Sequence, residues 1–102
     1  MKPTVVAKRN TSGDFVLMII QEDLGYDAIE ELFEFLKVEY DAQVLQKFDG
    51  PYSRRWLLNI DGAQVTVDFD EADGFDLTVD SAEMESLLER IGEDLKARLS
   101  ES

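Results

Sequence analysis

The chain has 102 residues and a mass of 11.6 kDa, room for one compact domain, and its 44% apolar content can build a core. It carries 10 Lys+Arg against 23 Asp+Glu, a net charge of −13 at a pI of 4.1, with no His and no Cys. Those counts exclude a net positive footprint for direct nucleic-acid binding, a thiolate nucleophile, an imidazole base, a Cys/His zinc site and any disulfide.

Near the start, two short apolar runs, Val5-Val6-Ala7 and Phe15 to Ile20, are separated by Lys8, Arg9 and Asp14. This is neither the continuous apolar stretch of a signal peptide nor the roughly 18 residues of a membrane helix. A soluble, cytoplasmic protein without membrane contact is expected, folded over 1–102 as a single domain.

Thr4 to Lys8 is β-branched and short, Thr11-Ser12-Gly13-Asp14 is a turn cluster, and Phe15 to Ile20 is a second strand. The two strands predict a β-hairpin. The unbroken apolar run of the second predicts an inner strand, or one covered on both faces. From Asp27 to Tyr40 the period becomes helical, with Ile29, Leu32, Phe33, Leu36 and Tyr40 on one stripe and Glu30, Glu31, Glu34 and Lys37 elsewhere. Asp23 or Asp27 is the expected cap.

A β-meander follows. Gln43 to Phe48 ends at Asp49-Gly50-Pro51, and Arg54 to Ile60 runs into Asp61-Gly62, the strongest hairpin signal in the chain. In the next strand Val65, Val67 and Phe69 alternate with Thr66, Asp68 and Asp70. After Ala72-Asp73-Gly74, Phe75, Leu77 and Val79 alternate with Asp76, Thr78 and Asp80. Such alternation predicts one packed and one wet face. Asp80-Ser81-Ala82-Glu83 has the form of a capping box, and Met84, Leu87, Leu88, Ile91, Leu95 and Leu99 form the stripe of a closing helix. Gly92 within it costs about 1 kcal/mol relative to Ala. The order β-β-α-β-β-β-β-α predicts an α+β fold, an antiparallel sheet with two helices packed on one face.

The densest chemical feature is Asp68 to Asp76. Counted as a calcium loop from Asp68, the fifth position is Ala72, the glycine falls one residue late at Gly74, and the twelfth position is Val79. The pattern fails, and an acidic turn on a wet face is the expectation, with no metal and no cofactor. A divalent-metal or small-ligand site on Asp68, Asp70, Asp73 and Asp76 is the alternative. Asp68 and Asp70 share a strand face, but a useful general acid needs burial, so no enzyme is expected.

Tyr52-Ser53-Arg54-Arg55-Trp56 is the basic, aromatic patch, and these residue types anchor interfaces. Trp56 is expected to pack inward with Leu58 and Ile60, leaving Leu57 to share the outer face with Arg55 and Asn59. Charge is uneven: residues 1–60 hold 10 acids and 7 bases, residues 61–102 hold 13 acids and 3 bases. An acidic face keeps a chain dispersed, and it also steers basic partners toward itself. A non-catalytic protein-interaction module is the leading expectation, with Arg54, Arg55, Leu57, Asp68, Asp70, Asp73 and Asp76 as candidate partner-binding residues. An immunity-like or antitoxin-like inhibitor of a basic toxin is its sharpest alternative. A homodimer is compatible with either reading.

Gly50, Arg54 and Trp56 form a Gly-x-x-x-Arg-x-Trp entry into the meander, between an amphipathic helix and a closing helix. Over Tyr26 to Leu95 this layout resembles a group of small bacterial domains of unknown function. The resemblance implies a bacterial cytosolic α+β domain and hands over no activity.

Overall fold

The computed structural model describes residues 4–9, 11–20, 27–70 and 74–100, with the side chains of 98–100 excepted. Among these residues, six strands form one antiparallel sheet and two helices lie across it. The strands are β1 (Thr4–Arg9), β2 (Phe15–Ile20), β3 (Gln43–Asp49), β4 (Ser53–Ile60), β5 (Ala63–Asp70) and β6 (Gly74–Val79); the helices are α1 (Ala28–Tyr40) and α2 (Glu85–Ser100). The sheet order is β1-β2-β6-β5-β4-β3. The β1–β2 hairpin therefore docks on β6, and β2 becomes the inner strand that its apolar run predicted. The β3–β6 meander supplies the other half.

Directly opposite residues in antiparallel strands share a face. The register aligns Ala7, Leu17, Leu77, Val67, Trp56 and Lys47 in one row. Around that row Ile19, Leu58, Ile60, Val65, Phe69 and Phe75 are also buried, and Ile29, Leu32 and Leu36 of α1 and Leu87, Leu88 and Ile91 of α2 close over them. The alternation in β4, β5 and β6 thus resolves as expected, with Trp56, Leu58 and Ile60 inward. At about 25 cal/mol per Å² of apolar area, this shared core is the main source of stability.

Turns follow their residues. Asp61 (φ 54°) and Gly62 (φ 82°) both take left-handed backbone, the type I′ geometry whose twist suits a two-residue hairpin. The Asn59 side-chain oxygen accepts the Gly62 N–H at 3.0 Å. At the end of α1, Asp41 (φ 54°) donates its N–H to Lys37 O at 3.1 Å, and Ala42 donates to Leu36 O at 3.3 Å. The first of these is the bond of a left-handed (αL) helix stop, made here without glycine.

Several expectations need correction or fall outside the described residues. The capping box at Asp80 is not formed: Ser81 is the cap, without a side-chain bond, and Ala82–Met84 makes a 3₁₀ turn before α2 begins at Glu85. The tight turn already satisfies a terminal donor, with Met84 N–H on Ser81 O at 3.2 Å. Asp27 does precede α1, yet it too makes no side-chain capping bond. Gly92 is more than a weak point, because a Cβ there would stand 2.9 Å from Leu17 Cδ1. The glycine lets α2 approach β2 closely. Asp23, Ala72, Asp73 and the side chain of Leu99 lie outside the described residues.

No helix among the described residues is long and apolar enough to cross a membrane.

Candidate functional site

Among the described residues the two faces of the sheet differ sharply. One carries the core and both helices. The open face carries rows that the register fixes: Phe48, Arg55, Asp68, Asp76, Met18 and Val6 in one, and Gln46, Leu57, Thr66, Thr78, Val16 and Lys8 in the next. Leu57 therefore shares the open face with Arg55 and Asn59, as the sequence predicts. Asp70, opposite Ser53 and Gly74, belongs to the same face and is exposed.

A bulge decides what β3 contributes. Val44 faces Leu58 while Gln46 faces Leu57, so Leu45 is the extra residue. One inserted residue reverses the side-chain alternation beyond it. Lys47 and Asp49 are thereby brought to the helix-covered face beside Trp56 and Arg54, and Phe48 is turned to the open face beside Arg55. The exposed Leu45 (55%) and Phe48 (49%) follow from this geometry.

Arg54 and Arg55 consequently have different surroundings. Arg54 is buried, with 7% exposure; its Nε donates to Asp49 Oδ1 at 2.8 Å, and its guanidinium stands 4.0 Å from Glu30 of α1. Trp56 Nε1 donates to the same Asp49 oxygen at 3.0 Å. The indole is further flanked by Lys47 Nζ, 4.1 Å from the ring centroid, by the Arg54 guanidinium at 5.0 Å, and by Phe33 edge-on at 5.8 Å. The hydrogen bonds from Arg54 and Trp56 hold the Asp49 carboxyl below its ordinary 3.8. This cluster ties β3 to β4 under the start of α1.

Arg55 is exposed and donates from Nε to Asp68 Oδ1 at 2.5 Å across the open face, a bond that raises its pKa. Between the β3–β4 and β5–β6 ends of the sheet lies an open concavity of about 780 Å³. Phe48, Ser53, Arg54, Arg55, Asp68, Asp70 and Asp76 are among the residues that line it. Six of the seven sequence-derived candidates are thus described. Arg55, Leu57, Asp68, Asp70 and Asp76 share one face, Arg54 is buried on the other, and Asp73 lies outside the described residues. Among the described residues no group of three or more acidic side chains could hold a metal ion. Phe48 and Asp49 were not singled out by sequence, because nothing in Gln-Val-Leu-Gln-Lys-Phe-Asp marks the bulge that orients β3, and Met18 and Val6 were not, because they sit in unbroken apolar runs whose alternation assigns no face.

Charge is partitioned as well. From Asp27 to Asp41, α1 and its ends carry six acids and one base, and residues 82–100 carry five acids and three bases. The strands' open face carries Lys8 and Arg55 against Asp68, Asp70 and Asp76.

No family model, curated protein or solved structure matches this chain.

Proposed function

We propose that the protein is a non-catalytic protein-interaction module whose working surface is the open face of the sheet. The observation that carries this reading is the one-sided packing of the sheet. Both helices cover a single face, while the other presents Phe48, Leu57, Met18 and Val6 among the Arg55–Asp68 pair and a mixed set of polar side chains. Aromatic and arginine side chains set among small polar residues are the composition of protein interfaces. Arg54 has a structural part in this reading, since its guanidinium is committed to Asp49 and is buried.

A second reading has its own support. The six acids around α1 concentrate negative potential on the helix layer, which suits an inhibitor that captures a basic toxin. One capture experiment separates the two. Leu57→Lys on the open face, and a charge-neutralised α1 carrying Glu30→Gln, Glu31→Gln and Glu34→Gln, are compared with the parent as bait at low and high salt. Loss of a retained protein in Leu57→Lys alone supports the sheet-face module. Loss in the neutralised helix alone, with release by salt, transfers the function to the acidic layer. A calcium-dependent rise in Tm would instead support an acidic-turn ligand site.

A further inference from the structure

We propose that the occupant of the open sheet face is a second copy of this chain, packed sheet against sheet about a two-fold axis. The proposal rests on the reading of that face as an interaction surface and names its partner.

Area is the first argument. Six strands at about 4.8 Å spacing span about 24 Å, and strands of six to eight residues at about 3.4 Å per residue run about 20–27 Å. The face therefore offers on the order of 500–650 Å² per copy in plan. Two such faces clear the roughly 1,000 Å² that marks a specific interface.

Charge is the second. Two chains of −13 each repel wherever their acidic surfaces meet. Joined through α1, they would set six acids against six. Joined through the open face, they oppose surfaces that each carry two cations against Asp68, Asp70 and Asp76, with Asp80 just beyond the end of β6, and the helix layers point away from each other. With sheets about 10 Å apart and helices about 10 Å behind each sheet, the acidic layers stand about 30 Å apart, several Debye lengths at physiological salt.

The third argument is where the charges lie along the strands. Across the four central strands, the row Leu57, Thr66, Thr78 and Val16 contains no charge. Asp68 and Asp76 lie one row away, two residues along the strands, and Asp70 lies farther in the same direction. A two-fold axis crossing the strands at the neutral row sets each of its residues against its own equivalent. The same axis holds the Asp68 and Asp76 rows of the two copies about 14 Å apart along the strands, at about 3.4 Å per residue. An isologous contact of this kind closes on itself and stops at a dimer.

Sedimentation velocity across micromolar to millimolar protein, with Thr66→Arg beside the parent, tests this. The expected result is a parent species of twice the 11.6 kDa chain mass that Thr66→Arg converts to monomer with its far-UV dichroism intact. Because the chain has no cysteine, Thr66→Cys adds a single thiol at the axis, and a bifunctional maleimide should then join two chains, whereas Ser86→Cys on α2 should not. A parent that is monomeric at every concentration, or a dimer that Thr66→Arg leaves intact, overturns the proposal. Capture of a different protein that is lost in Leu57→Lys, by a monomeric parent, would overturn the second copy as occupant while leaving the interaction-module reading standing.

Discussion

Asp49 accepts from two buried donors at once, Arg54 Nε and Trp56 Nε1, and its own position depends on the bulge four residues earlier. Removing the carboxylate strips a charge-assisted bond from a buried guanidinium, so Asp49→Ala should lose about 2–3 kcal/mol by urea titration, with Asp49→Asn retaining part of it. The pH dependence has a definite sign. The folded pKa lies below the unfolded value, so the contribution is complete above about pH 4 and is lost as pH falls through the folded value. The stability difference between the parent and Asp49→Ala should therefore narrow below pH 4, and a constant difference would show that the carboxylate charge is not what matters. Trp56, the chain's single tryptophan, reports the same event through its emission. Gly92→Ala gains about 1 kcal/mol in helix propensity but places a Cβ against fully buried Leu17. A net loss of about 1 kcal/mol is expected. It should be relieved when Leu17→Ala is combined with it, so that the two substitutions together cost less than their sum.

Among the elements, those whose hydrophobic period is unambiguous were legible from residues alone. Val65-x-Val67-x-Phe69 and Phe75-x-Leu77-x-Val79 give strands with assigned faces, and the Ile29 to Leu36 stripe gives a helix with its buried side. Asp61-Gly62 gives the one turn whose backbone type follows from its residues. Strand order was not legible, because docking the β1–β2 hairpin on β6 is a long-range choice that no local pattern encodes. β3 resisted reading for a different reason. Its bulge reverses its faces midway, so no single alternation describes it, and the side chains it contributes to both faces were hidden with it. The bulge predicts an asymmetry between two simple changes. Leu45→Asp alters an exposed side chain and should shift stability by no more than about 0.5 kcal/mol. Inserting one residue after Gln46 would send Lys47 and Asp49 to the open face and drive Phe48 beneath α1, and should cost several kcal/mol in thermal unfolding, whereas deleting Leu45 only removes the bulge and keeps the present pairs. The start of α2 supplies a contrary case. The apparent capping box makes no side-chain bond, so Ser81→Ala should change stability by less than the roughly 1 kcal/mol that a working cap supplies.

At the scale of the molecule, acidity and the sheet's open face are separate features. The helix layer holds most of the described acids, and their mutual repulsion opposes the folded state, so Tm should rise between about 20 mM and about 500 mM salt as that repulsion is screened. A Tm that falls with salt would mean that pairs such as Arg9–Glu85, at 2.7 Å, outweigh the repulsion. The open face is nearly balanced in charge and mixed in polarity, which suits the second copy proposed to cover it. The most direct test of that claim is the maleimide reactivity of Thr66→Cys, on the open face, against that of Glu34→Cys, on the exposed side of α1. Both variants are measured in dilute protein and again at high protein concentration. The account predicts that crowding the protein slows labelling at Thr66→Cys and leaves Glu34→Cys unchanged. Unchanged labelling at both positions, or slowing at Glu34→Cys alone, would contradict it.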